Sequence, residues 1–65
     1  MTGMNPDYLG AMHRALSLAT PTWREIVLAA VASQDFRRIQ DTALAAYARG
    51  ERELGDALRR VNQFH

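Results

Sequence analysis

DFRRIQDTALAAYARGERELGDALRRVNQF, residues 35 to 64, decides the fold class. Phe36, Ala43, Gly50, Ala57 and Phe64 recur every seven residues, and Tyr47, Leu54 and Val61 recur every seven beside them. The combined seam steps by threes and fours, which matches one face of an α-helix and not the two-residue alternation of a half-buried strand. The chain is therefore expected to be all-α.

Gly50 is the point on which the architecture turns. An interior glycine costs roughly 0.8 to 1 kcal/mol relative to alanine, while the opposite-charge pairs Arg49 to Glu53, Arg52 to Asp56 and Asp56 to Arg60 contribute only about 0.2 to 0.5 kcal/mol each. Local energies thus slightly favour a helix end at Gly50, where glycine readily takes the left-handed conformation that closes a helix. The unbroken apolar phase favours continuity, and small residues at Ala43, Gly50 and Ala57 would admit a close neighbouring helix. On that basis one long helix is expected from Asp35 to near Asn62, a length of roughly 40 Å.

Working back toward the amino terminus, Ser33-Gln34-Asp35 marks a turn with Ser33 or Asp35 as the cap. Before it, Trp23 to Ala32 reads as a helix that is apolar nearly all round: Trp23, Ile26, Val27 and Ala30 form one stripe, and Leu28, Val31 and Ala32 fill much of the remainder. Such a helix wants burial on more than one side. Thr20-Pro21-Thr22 separates it from an earlier helix, because proline ends the hydrogen-bond ladder and pushes Thr20 out of the helical region. The start of the second helix is open between a capping box from Thr22 to Glu25 and a Thr20 cap with Pro21 at the first position. The first helix opens at Asn5-Pro6-Asp7 and presents Leu9, Met12, Leu16 and Ala19 on one face, flanked by Tyr8 and Ala15. Residues 1 to 4 are expected to be disordered and residues 5 to 65 to form a single helical domain.

With 65 residues, the chain has room for one domain and a marginal core. It has no cysteine, so neither disulfides nor thiolate metal sites supplement that core. The expected solution is a helical hairpin or three-helix domain with a long carboxy-terminal helix, completed by dimerisation into a bundle. Trp23, Ile26, Phe36, Ile39, Ala43, Tyr47, Gly50, Leu54, Ala57 and Val61 are the expected interface, with Trp and Tyr as anchors.

The chemistry-bearing residues are sparse. His13 has no acidic neighbour at helical spacing, Ser17 stands four residues from it with no third orienting group, and His65 is terminal. No glycine belongs to a phosphate-cradling pattern. Neither catalysis nor a metal nor a cofactor is expected. The eight basic residues, all arginine, against seven acidic ones give a net charge of +1 and no general pull toward nucleic acid or anionic membrane. No apolar run is long enough for a membrane-spanning helix, and cytoplasmic residence is the default. The expected role is helical interaction or assembly, as a homodimer or as an adaptor or chaperone-like subunit on another helical protein. The alternative is a helix-turn-helix DNA-binding protein, with Gln34, Arg37, Arg38 and Gln40 near the start of a recognition helix.

Overall fold

The structure, a computed structural model, describes residues 6–64. The sequence expectations for residues 1 to 4, for the Asn5 cap and for His65 lie outside the described residues. Among the described residues, four α-helices of similar length follow one another: α1 Pro6–Leu18, α2 Pro21–Ser33, α3 Phe36–Ala48 and α4 Arg52–Gln63. The all-α expectation holds. The long carboxy-terminal helix does not, because α3 and α4 are separate helices of 13 and 12 residues.

The break at Gly50 has a clear hydrogen-bond pattern. Gly50 adopts φ +82°, its amide donates to the Tyr47 carbonyl at 3.0 Å, and the Glu51 amide reaches back to the Ala46 carbonyl at 2.8 Å. This pair of bonds is the Schellman closure, which satisfies carbonyls that a helix end otherwise leaves open. The apolar phase runs through the turn because the two halves of the seam fold onto each other. Ile39, Ala43 and Ala46 of α3 and Leu54, Ala57, Leu58 and Val61 of α4 are all buried. A projecting helix would have left that stripe in water, whereas the antiparallel hairpin covers it within the chain. At the far end of the hairpin, Asn62 Nδ2 donates to the Phe36 carbonyl at 3.1 Å, tying the end of α4 to the start of α3.

Gly55 has a packing cause. A Cβ there would sit 2.8 to 2.9 Å from three atoms of the Tyr47 ring, so the ring lies directly on the glycine backbone. The Tyr47 hydroxyl then donates to Asp56 Oδ1. Asp56 is engaged across the hairpin as well as exposed along its own helix.

Helix α4 packs on both α3 and α1, while α2 packs more lightly, chiefly on α3 and less on α1. The α1 face is rotated from the expected one. Tyr8, Ala11 and Ala15 are its buried residues, Met12, Leu16 and Ala19 are partly buried against the core, and Leu9 is 40% exposed. Tyr8, Ala11 and Ala15 are also a helical stripe, and a sequence rich in apolar residues on two adjacent faces does not say which one wins.

Helix α2 begins at Pro21 with Thr20 extended at the cap, which decides between the two expected starts in favour of Thr20-Pro21. The Thr20 carbonyl accepts from the amides of Trp23 and Arg24, each at 2.9 Å. At its other end Gln34 takes a left-handed conformation, φ 56°. Ser33 Oγ donates to the Ala30 carbonyl at 2.6 Å and accepts from the Asp35 amide at 3.2 Å. Asp35 Oδ1 accepts from the amides of Arg37 and Arg38 at 3.0 and 3.4 Å, making Asp35 the cap of α3.

Candidate functional site

No described side chains converge into a catalytic constellation. His13 and Ser17 are both exposed on α1. Among the described residues, no group of three or more His, Asp or Glu side chains is placed to hold a metal ion. Among the same residues, no helix is long and apolar enough to cross a membrane. A shallow hollow of about 440 Å³ between α1 and α4 mixes Arg14, Arg59 and Arg60 with Glu53 and Asp56, so it presents no single charge to a ligand.

The residues expected to form an association stripe divide into two groups. Ile39, Ala43, Leu54, Ala57 and Val61 are covered by the chain's own helices, Tyr47 is half-buried on Gly55, and Gly50 is an exposed turn residue. Trp23 is half-buried against the core. Ile26 and Phe36, by contrast, are 50% and 52% exposed. Leu28 and Leu44 join them at 51% and 55%, two residues that the sequence stripe did not include. Both lie off the phase of the buried faces, and an apolar residue off phase was the available signal.

These side chains belong to two surfaces. On α2 only Val27, Ala30 and Val31 are buried. With about 100° between successive residues, Ile26 and Leu28 flank an outward arc containing Glu25, Ala29 and Ala32, all exposed. Glu25 is the one charged residue of that central arc. The second surface is a groove of about 410 Å³ between α3 and α4, with Phe36, Leu44 and Tyr47 as its large apolar walls and Gln40, Arg59, Asn62 and Gln63 among its polar ones. At the end of α4, the Arg60 guanidinium stands 5.7 Å from the centre of the Phe64 ring, within cation–π range.

The residues of the DNA-binding alternative are all exposed, but they do not share one face. Arg38 and Gln40 lie about 160° apart around α3. The outward side near Arg37 also carries Asp41, Leu44, Ala45 and Ala48, which supply negative charge or apolar surface where a phosphate backbone would lie. Gln34 supplies the left-handed turn residue between α2 and α3.

Comparison of the chain with protein-family models, with curated proteins and with solved structures gives no match.

Proposed function

We propose that this protein works by docking, as a small helical interaction or assembly module that binds a second copy of itself or another helical protein. The supporting observation is that the core closes within one chain, while Ile26, Leu28, Phe36 and Leu44 stay about half exposed at once. Apolar side chains arranged along helix faces and rimmed by polar ones are the usual composition of a protein-binding surface. Scattered basic residues and a net charge of +1 give no comparable support to a nucleic-acid role.

The test is purification from the native cell of the wild-type chain beside a variant carrying Ile26→Gln, Leu28→Gln, Phe36→Gln and Leu44→Gln. The wild type is expected either to bring down one protein in stoichiometric amount or to run as an oligomer of itself, and the variant to do neither while keeping its helicity. A wild-type chain that is solitary in both respects contradicts docking. Duplex DNA binding that weakens steeply with salt and is lost in Arg37→Ala or Arg38→Ala would replace it with the DNA-binding alternative.

A further inference from the structure

We infer that the α3–α4 hairpin is an exchangeable unit: the turn at Gly50 straightens, α3 and α4 become one helix, and each of two copies lays its α4 in the place of the other's. The phase of the seam carries this. Counted at about 100° per residue through Arg49, Gly50 and Glu51 as if they were helical, the buried residues of α3 and all those of α4 except Gly55 fall within one arc of about 160°. Gly50 lies at the centre of that arc. A turn one residue longer or shorter would swing one half of the arc by about 100°, and the straightened helix would then face two ways. The contacts across the hairpin are centred on the same residue. Asn62 reaches the Phe36 carbonyl, the two standing 12 and 14 residues from Gly50, and the Tyr47 ring covers Gly55, the two standing three and five residues from it. Two straightened helices lying antiparallel with their Gly50 positions side by side therefore repeat those pairings between chains. A residue without a side chain stands on the two-fold axis, and Arg49 and Glu53 become an opposite-charge pair at helical spacing.

Both forms bury the same faces, so the hinge and the concentration set the balance between them. In the closed chain Gly50 holds φ +82°, which glycine takes without strain, and a helix running through glycine is less favourable than one through alanine. The turn also keeps α4 beside its own α3 at an effective concentration of about a millimolar or more. The closed monomer is therefore the form at ordinary concentrations, and the exchanged dimer gathers only near the millimolar range. Passing between them requires α4 to leave a core in which Leu54, Leu58 and Val61 are fully or almost fully buried, so the two forms interconvert slowly. The outward residues Ile26 and Leu28 take no part, and the exchange stands or falls separately from the docking proposed above.

The experiment refolds the chain from denaturant at about 10 μM and at about 1 mM and reads molar mass by sedimentation. The wild type is expected at 7.3 kDa from the dilute sample, and with a further fraction at twice that mass from the concentrated one. Gly50→Ala disfavours the left-handed turn and favours the helix in both chains of a dimer, and it is expected to lower the dimer midpoint by about 1,000-fold. One glycine inserted after Gly50 lengthens the turn but breaks the phase, and that chain is expected to stay monomeric at both concentrations. Ile26→Gln/Leu28→Gln in the Gly50→Ala background is expected to leave the dimer unchanged. When Gly50→Ala is refolded from a mixture of isotope-labelled and unlabelled copies, filtered nuclear Overhauser effects should connect the Tyr47 ring of one chain to Gly55 of another. A chain that stays at monomer mass at about 1 mM, as wild type or as Gly50→Ala, overturns the inference, and so does an insertion variant that dimerises as readily. A dimer in which Tyr47 and Gly55 meet only within one chain overturns it too, and assigns the association to the outward faces instead.

Discussion

Helix α2 and the α3–α4 hairpin are both rich in apolar residues, and the structure uses them differently. In the hairpin, large side chains such as Ile39, Leu54, Leu58 and Val61 are fully or almost fully buried, and the turn at Gly50 lets one half of the seam cover the other. On α2 the buried set is Val27, Ala30 and Val31, while Ile26 and Leu28 remain half exposed. Apolar content alone therefore does not measure burial. What matters is whether a second surface in the same chain lies opposite, and α2, the lightly packed helix, has one on its inner side only.

Two leucines bring out the contrast most strongly. Leu58→Ala in the hairpin removes a side chain of 0% exposure, and a loss of about 2 to 5 kcal/mol is expected. That is a large share of the roughly 3 to 10 kcal/mol that a chain of this length can have. Leu28→Ala on α2 should cost no more than about 1 kcal/mol, because half of that side chain is already in water. Urea denaturation of the two variants measures both, and equal losses would erase the distinction between the regions.

Next in size is Gly50→Ala, expected to destabilise by about 1 to 2 kcal/mol because a left-handed conformation is unfavourable for alanine. Nothing lies within 4 Å of the added Cβ, so the backbone accounts for the effect. A continuous helix through this point would give the opposite sign, a gain near 1 kcal/mol.

Gly55→Ala tests the same hairpin by another cause. Alanine favours the helix by roughly 1 kcal/mol, but its Cβ meets the Tyr47 ring. A net loss of about 1 kcal/mol is expected from overpacking. In a Tyr47→Ala background the same change should become stabilising. A gain in both backgrounds would show that the ring moves aside without cost.

The smallest expected effect lies at the corner between the two regions. Gln34→Gly should raise stability by a few tenths of a kcal/mol up to about 1 kcal/mol, since glycine holds φ 56° without strain but loses more freedom on folding. A lowered midpoint in thermal unfolding would mean that the glutamine side chain contributes more than its backbone costs.

Much of the fold was legible in the sequence. The seam from Phe36 to Phe64 marked helix, Thr20-Pro21 and Ser33-Gln34-Asp35 marked the boundaries of α2, and Gly50 carried the local energetic signature of a break. The sequence pattern does not decide the break, because a continuous phase is shared by a long helix and by a hairpin folded at a three-residue turn, and only the tertiary alternatives for burying the seam separate them. The rotated face of α1 was illegible for a similar reason: Leu9 and Tyr8 are both apolar, and α4 decides which is covered. The candidate surface was legible in part. Ile26 and Phe36 stand on the stripe that the spacing predicts and Leu28 belongs to the second apolar side of α2, whereas Leu44 emerges as exposed only once the inner face of α3 is known.

One copy of this chain closes its own core, with Val27, Ile39, Leu54, Leu58 and Val61 buried by its own helices while Ile26 and Leu28 on α2 stay half exposed. Far-UV circular dichroism on serial dilution well below any association midpoint tests it most directly. The helical signal per residue is expected to stay constant as the molecules separate. A signal that decays toward coil on dilution would mean that the helices depend on a second chain for their burial, and the self-contained core would have to be abandoned.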